Sequence, residues 1–236
     1  MAEKSGTSPW VWIGCGCLVA ILLVVAAVGG LGYFGMRQAK QLEEDLRDPD
    51  ARRSKALEVL GAETLPEGYY PGVALSIPFL MDMAMLSDRE PEPGAEPQPL
   101  GERGLFYLDV FSFGRQRDEL RDFFDGKTND PEVLRQQNID LDLDEVIARG
   151  EAAHPQATVR WVAHTGDVGG MGSADAGGLV TLLLFECGDG DRRLRFGIWY
   201  APDPRVESGD DTASLDGTPA DGAAVEAFVA SFRPCG

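Results

Sequence analysis

The stretch LVTLLLFECGDGDRRLRFGIWYA, residues 179–201, decides the fold. Two apolar runs, 179–187 and 192–201, are rich in the aliphatic and aromatic residues of buried strands. Between them lies Gly188-Asp189-Gly190-Asp191, a composition that is typical of a tight turn joining two strands. The stretch therefore predicts a β-hairpin and, with it, antiparallel strand pairing.

Further strands and helices are predicted on both sides of this hairpin. Alternating or apolar runs predict strands at 70–77, 79–86, 104–113 and 158–164. Helical periodicity and capping residues predict helices at 52–60, 115–124, 131–137, 143–149 and 220–232. Because the strands pair as hairpins and the helices are interspersed, the fold class is predicted as α+β, with an antiparallel sheet packed with helices.

The N-terminal part of the chain is apolar and uncharged. Residues 5–36 contain no Asp, Glu, Lys or Arg. A helix over 10–34 would rise about 37 Å, enough to cross a bilayer core of about 30 Å with some tilt. Trp10, Trp12 and Tyr33 stand at its ends, where amphipathic rings prefer the membrane interface. The sequence therefore predicts a short tail (1–9), a transmembrane helix (10–34), a helical stalk (35–63) and a soluble acidic domain (64–236).

The placement of that domain depends on two opposed signals. The apolar run is longer than the roughly 7–15 residues of a signal peptide, which favours an uncleaved anchor, although small residues such as Ala26 and Gly29 leave cleavage open. Basic residues after the run favour a cytoplasmic domain by the positive-inside rule. A short N-terminal tail favours export instead. We expect a single-pass protein of the cell membrane with its domain on the extracytoplasmic side.

The charge of the chain is strongly negative. The net charge is −18, and residues 1–63 contribute only −1 of it. A field of this sign repels nucleic acid and anionic head groups, so no nucleic-acid partner is expected. Cationic partners or divalent ions would be tolerated, although the acidity also serves solubility alone. The expected partners are the lipid bilayer and a protein of the cell envelope.

Small residues and cysteines mark further positions. Ala26, Gly29, Gly30 and Gly32 give the apolar helix a thin face, which weakly predicts self-association. Cys15 and Cys17 are interpreted as small, soft residues of that helix, with lipidation as the less favoured alternative. In the domain, Cys187 and Cys235 either form a disulfide, which needs an oxidising compartment, or remain two buried free thiols.

One acidic run is a weak candidate for a metal site. Asp140, Asp142 and Asp144 alternate as at the start of a calcium-binding loop. An EF-hand needs Gly at the sixth position and Glu at the twelfth. In this run the twelfth position is Glu151, but the sixth is Glu145, so the Gly that makes the sharp turn is missing. The alternative interpretation is the solvated N-terminus of a helix, where acidic residues are favoured by the helix dipole. No catalytic residue and no cofactor are predicted.

Two short segments carry a family resemblance. The domain opens with Leu65-Pro66-Glu67-Gly68-Tyr69 after a Gly- and Cys-rich span, and closes with Val225-Glu226-Ala227-Phe228-Val229-Ala230-Ser231-Phe232. The first resembles uncharacterised bacterial single-span membrane proteins, and the second resembles the last helix of PsbP-like domains. The resemblance implies an α/β/α sandwich whose members are mostly accessory or binding proteins. The expected function is therefore a membrane-anchored, non-enzymatic accessory or binding domain of the cell envelope. The alternatives are a calcium-responsive domain and an enzyme with an unrecognised site.

Overall fold

Seven antiparallel strands form one sheet in the computed structural model, which describes residues 48–90, 101–111, 114–128, 130, 132–135, 141–167, 178–188 and 190–235. The strands are β1 (Tyr70–Ile77), β2 (Met81–Ser87), β3 (Gly104–Phe111), β4 (Asp142–Ala152), β5 (Thr158–Asp167), β6 (Gly178–Glu186) and β7 (Arg193–Pro202). Their order across the sheet is β1-β2-β3-β7-β6-β5-β4, so β1 and β4 are the edges.

The hairpin predicted at 179–201 lies at the centre of this sheet. β6 and β7 pair in register, with Leu182 opposite Ile198 and Leu184 opposite Phe196. β7 also pairs with β3, which places Trp199 opposite Leu105. The prediction of a hairpin is therefore confirmed, and β7 joins the β1–β3 half of the sheet to the β4–β6 half.

Five short helices accompany the sheet in the described part of the chain. They are α1 (Pro49–Leu60), α2 (Gly114–Phe124), α3 (Glu132–Arg135), α4 (Pro204–Ser208) and α5 (Gly222–Val229). The helix predicted at 52–60 is confirmed, and α1 begins three residues earlier, at Pro49. The Asp48 side chain accepts a hydrogen bond from the backbone N–H of Asp50, Pro49 opens the first turn, and Gly61 closes the helix at a φ of 62°.

The sheet separates two apolar cores. On one face, α1 and α5 pack over the sheet, and this core includes Leu60, Phe228 and Phe232 from the helical side and Tyr107 and Phe185 from the strands. On the other face, α2 and α3 pack over β5, β6 and β7, and the second core includes Leu120, Phe123, Phe124, Leu134, Val162, Leu182 and Phe196. Burial on both faces explains why β6 and β7 are almost continuously apolar.

The predicted fold class is wrong and is corrected as follows. An α/β/α sandwich behind a transmembrane helix was expected, whereas the described chain is dominated by a seven-stranded antiparallel sheet with few helices, the longest of 12 residues. The single-pass membrane prediction is corrected with it, because no helix among the described residues is long and apolar enough to cross a bilayer.

Several predictions about the N-terminus concern residues outside the described part. These are the tail at 1–9, the span at 10–34, the stalk up to residue 47, and the positions Cys15, Cys17, Ala26, Gly29, Gly30 and Gly32. Residues 48–60, which were predicted to belong to the stalk, form α1. Its Ala56 and Leu60 are fully buried against the sheet.

The segment predicted as a helix at 143–149 is part of strand β4, and this prediction was wrong. β4 pairs with β5, with Val146 opposite His164 and Arg149 opposite Val162. Two register shifts interrupt this pairing before Ala148, which blurs the period-two pattern by which a strand is recognised. Asp142 and Asp144, which resembled part of a helix N-terminus, are instead exposed positions on an edge strand.

Candidate functional site

A wide groove opens where four strand ends meet. The register aligns Tyr70 with Ser87, Ser87 with Gly104, and Gly104 with Tyr200, so the start of β1, the end of β2, the start of β3 and the end of β7 share one edge. Helix α5 and the loops after α1 and before α5 form its walls, and its volume is about 1100 Å³. This is slightly more than the roughly 300–1,000 Å³ of most ligand sites, and the groove is partly open to solvent.

Three aromatic side chains form the base of this aromatic groove. Trp199 on β7 and Phe228 on α5 are stacked in parallel, with ring centroids 4.1 Å apart and planes within 3°. Tyr69, just before β1, meets Phe228 edge-on at 5.3 Å, and its hydroxyl accepts a hydrogen bond of 2.7 Å from Trp199 Nε1. The three rings hold one another in place, so the base of the groove is preorganised.

The rim of the aromatic groove is predominantly acidic. Its described lining carries four carboxylates, Glu67, Asp88, Glu102 and Glu207, and one guanidinium, Arg103. Arg103 lies 3.7 Å from Asp88 and its guanidinium carbon is 6.0 Å from the centre of the Tyr69 ring. Trp199 and Phe228 are 5% and 7% exposed and cover one another, so the half-buried Tyr69 is the most accessible of the three rings. The carboxylates of the rim attract cations, so the geometry suits a positively charged group that also brings apolar surface.

The polar groups of the groove base are not arranged for proton transfer. Burial raises the pKa of Tyr69 above its ordinary value of 10, and the hydrogen bond from Trp199 only partly offsets this. Tyr69 is therefore neutral at physiological pH, and its oxygen already accepts the indole N–H. A general base would need a pKa near the working pH, so Tyr69 is not poised to act as one.

A second polar cluster occupies the opposite end of the sheet. It comprises Asp82, Asp109, Asp191, Arg193 and Arg195. Arg193 contacts Asp82 and Asp109 at 2.6 Å each, and Arg195 Nε lies 3.0 Å from Asp109. Both oxygens of Asp109 are thus engaged by guanidinium groups. This carboxylate–guanidinium cluster is internally paired, which indicates a role in stability.

The predicted calcium-loop residues do not come together as a loop. Asp142 and Asp144 are exposed residues of β4, and Asp140 lies outside the described residues. Most of the twelve positions that an EF-hand would need are in the extended conformation of this strand. Among the residues that the structure describes, no group of three His, Cys, Asp or Glu side chains is placed to hold a metal ion.

Cys187 and Cys235 are joined by a disulfide in the structure. Their Cα atoms are 5.5 Å apart, and the bond closes a loop between positions separated by 48 residues. Cys187 follows β6 directly, and Cys235 follows α5. The disulfide therefore ties the C-terminus to the end of the central hairpin.

The two histidines hold structural positions. His154 Nδ1 accepts hydrogen bonds from the backbone of Gln156 and Ala157, and its Nε2 lies 2.9 Å from the Phe232 carbonyl oxygen. His164 is buried on β5, within the strand predicted at 158–164, and stacks on Phe123. Neither ring nitrogen of His164 has a well-directed hydrogen bond among the described residues.

Burial of His164 should make stability depend on pH. Burial lowers its pKa below the ordinary 6.5, and the nearby backbone of Asp144 only partly offsets this. Below about pH 6.5 the unfolded chain binds a proton at this histidine and the folded chain does not, so the free energy of unfolding should fall as the pH drops from about 6.5 and level off below the folded pKa. For one histidine, the free energy of unfolding changes by at most about 1.4 kcal/mol per pH unit.

Denaturant unfolding of His164→Leu between about pH 7 and pH 5.5 tests this expectation. The variant should lack the slope that the parent shows in this window. His154 is partly exposed, so the His154→Gln variant should keep the pH dependence of the parent. Equal slopes in the parent and the His164→Leu protein would contradict the assignment.

Sequence reasoning missed the aromatic groove. Tyr69, Trp199 and Phe228 were each placed near or within a predicted element, but Tyr69 is separated from Trp199 by 130 residues along the chain, and Phe228 belongs to another element again. Their contact depends on β7 crossing to pair with β3 and on α5 returning over that pair. No local signal in the sequence reports this arrangement.

The comparisons with known proteins do not extend the assignment. No family model matches the chain, and no curated protein matches it. The resemblance of the closing segment to PsbP-like domains therefore stays a prediction.

Proposed function

We propose that the chain carries a non-enzymatic binding domain whose aromatic groove takes a basic segment of a partner polypeptide. The observation that carries this proposal is the preorganised base of Tyr69, Trp199 and Phe228 beneath an acidic rim. Lysine and arginine side chains fit such a site because their aliphatic stems pack on rings while their charged ends meet carboxylates.

The size and openness of the groove favour a polypeptide segment over a small molecule. Its volume of about 1100 Å³ exceeds what most compact ligands fill. Four carboxylates spread along the rim would meet charges at several points of an extended segment. The net charge of −18 adds long-range attraction for a basic partner and raises the association rate at low salt.

We further propose that the domain works outside the reducing cytosol, in the cell envelope. The disulfide between Cys187 and Cys235 supports this placement, because such bonds rarely persist in the cytosol of mesophilic cells. A binding partner would then be another protein of the same compartment.

A peptide-binding assay with matched charge variants tests the proposal. The probe is a short fluorescein-labelled peptide of alternating lysine and leucine, and its fluorescence anisotropy is followed at low salt. The double variant Glu102→Gln, Glu207→Gln should bind about fivefold more weakly, since each exposed carboxylate is expected to contribute up to about 1 kcal/mol. Added salt should reduce this difference.

The control is Asp142→Asn, Asp144→Asn, which removes two exposed charges from β4, at the far edge of the sheet. It should bind the peptide as the parent does, apart from a small uniform loss. Equal weakening in both double variants would show that net charge alone attracts the peptide. Equal affinity for a glutamate–leucine peptide would refute a basic ligand outright.

A further inference from the structure

The turn between β1 and β2 exposes a group of large apolar side chains. Phe79 is 95% exposed, Leu80 64% and Ile77 39%. Phe111, whose backbone N–H donates to the Leu80 carbonyl oxygen, is 49% exposed. In the part of the chain that the structure describes, only one other large apolar side chain, Val206, is exposed. Single exposed apolar residues are common on protein surfaces, whereas a group of four marks a contact site. We call residues 77–80 together with Phe111 the apolar tip.

The backbone of the turn holds Phe79 in a conformation that an aromatic residue rarely adopts. Its φ is 67°, and no other non-glycine residue in the described ranges has a positive φ. Glycine takes this conformation without steric cost, whereas a bulky residue there is an outlier. The turn would therefore form more easily with glycine at this position. Strain of this kind is typical of functional sites, and the fold itself does not account for Phe79.

The backbone polar groups of the turn are largely satisfied within the protein. Pro78 has no N–H, and the N–H of Leu80 donates to the Ile77 carbonyl oxygen at 3.0 Å. The Leu80 carbonyl oxygen accepts the N–H of Phe111 at 3.4 Å. Transfer of backbone groups into an apolar medium is costly mainly where they lack hydrogen bonds. The turn can therefore enter such a medium at modest cost.

The charged groups next to the apolar tip balance one another. Directly beyond the tip, the paired strands carry the carboxylate–guanidinium cluster, with its three carboxylates and two guanidinium groups. Two further arginines lie at this end of the sheet. Arg192 directly precedes β7, and Arg117 donates to the Asp191 carbonyl oxygen. The acidic rim of the aromatic groove lies at the opposite end, so the negative charge of the domain is not concentrated at the tip.

A lipid surface fits the apolar tip better than a second protein does. A stable protein interface takes about 20–30 residues from each partner and needs complementary shape. The tip offers five residues on a protruding turn. A second copy of the chain is disfavoured further, because each copy carries a net charge of −18. A bilayer needs no complementary shape, and it takes up phenylalanine and leucine side chains by hydrophobic transfer.

We propose that the apolar tip inserts into the surface of a lipid bilayer, with Phe79 and Leu80 below the head groups. Zwitterionic head groups suit this contact, because anionic ones would repel the acidic domain. The contact is made by the turn of a hairpin and involves no helix. It leaves the aromatic groove at the end of the sheet remote from the bilayer and does not depend on what the groove binds.

A fluorophore beside Phe79 tests this contact in the full-length chain. The variant Cys15→Ser, Cys17→Ser, Leu80→Cys carries one free thiol, because the remaining two cysteines form the disulfide. The environment-sensitive dye NBD is attached at position 80, where it leaves Phe79 intact. With phosphatidylcholine vesicles, its emission should shift to the blue and be quenched by doxyl-labelled lipid. The dye is local, so it responds to the tip whatever else in the chain binds the vesicle.

The matched control carries the dye through Val206→Cys in the same background. Val206 is another exposed apolar position, on helix α4, which follows the opposite end of β7. Its dye should stay in water and should not be quenched by the labelled lipid. Equal quenching at positions 80 and 206 would show unspecific adsorption and would overturn the proposal, as would the absence of quenching at position 80.

The variant Phe79→Gly separates insertion from folding. Glycine suits a φ of 67°, so this protein should be at least as resistant to denaturant as the parent. The ratio of inserted to free tips, read from the quenched fraction at position 80, should nevertheless fall at least about tenfold, because no phenylalanine side chain leaves water. Unchanged quenching would overturn the proposal. A clearly less stable Phe79→Gly protein would also overturn it, because Phe79 would then serve the fold.

Discussion

Replacing both Cys187 and Cys235 with serine should lower the free energy of unfolding by about 4 kcal/mol. The disulfide links positions separated by 48 residues, and closing a loop of that length removes conformational entropy from the unfolded chain by this amount. Cys187 is also nearly buried, so serine would place a hydroxyl where sulfur now packs. The expected loss is a large share of the stability of an ordinary domain.

Denaturant titration of the parent and the double variant measures this effect, and replacing both cysteines avoids a stray thiol. Cys15→Ser, Cys17→Ser provides a control with the same chemical change outside the described residues and should leave the unfolding midpoint unchanged. Adding reductant should bring the parent close to the Cys187→Ser, Cys235→Ser protein. A difference below about 1 kcal/mol would mean that the loop is already restrained without the bond.

The C-terminal segment that carries Cys235 contacts several other elements of the domain. The Arg233 backbone N–H donates to the Leu60 carbonyl at 3.0 Å, and the Arg233 side chain lies 2.6 Å from Glu63. His154 meets the neighbouring Phe232 carbonyl oxygen. The C-terminal segment thus touches the end of α1, the β4–β5 connection and the end of β6. Loss of the disulfide should therefore loosen α5 first, and with it the Phe228 side of the aromatic groove.

Local signals explain which elements were predicted correctly. β1 was predicted with its observed bounds because Gly68 and Pro78 punctuate it. The C-terminal end of α1 was predicted correctly because Gly61 is a strong boundary signal, whereas its start was placed three residues late. The β6–β7 hairpin follows from two apolar runs around a Gly/Asp turn. These features depend on residues close in sequence, so a single chain reveals them.

Long-range pairing explains what was missed. β4 has register shifts that hide its alternation, and its strand conformation depends on pairing with β5. The base of the aromatic groove needs β7 beside β3 and α5 above both, which no spacing along the chain reports. Asp109 and Arg195 were likewise invisible as partners, because they face each other only through the β3–β7 register.

Asp109→Asn should destabilise the protein by about 3 kcal/mol, the second largest effect that we expect. Asp109 and Arg195 are 8% and 7% exposed, and the carboxylate contacts both Arg193 and Arg195. Burial raises the pKa of Asp109, and the hydrogen bond from Arg193 counteracts this. The carboxylate and the guanidinium groups thus compensate for one another's desolvation, which a neutral amide at position 109 could not do. Removing one member of a buried pair typically costs about 3–5 kcal/mol. We expect the lower end of this range, because Arg193 keeps Asp82 and Arg195 keeps Asp191 as partners.

Glu58→Gln is the matched control for the Asp109 variant, because it makes the same chemical change at an exposed pair with Lys55. Its free energy of unfolding should stay within about 0.5 kcal/mol of the parent. A double-mutant cycle with Arg195→Met separates pairing from packing. The arginine replacement should cost less in the Asp109→Asn background, since Asp109, one of the two carboxylates that Arg195 contacts, is already gone, while Asp191 remains. If the losses in free energy of unfolding for Asp109→Asn and Arg195→Met simply add, or if the Asp109→Asn protein is as stable as Glu58→Gln, the cluster contributes little. The apolar cores alone would then stabilise this end of the sheet.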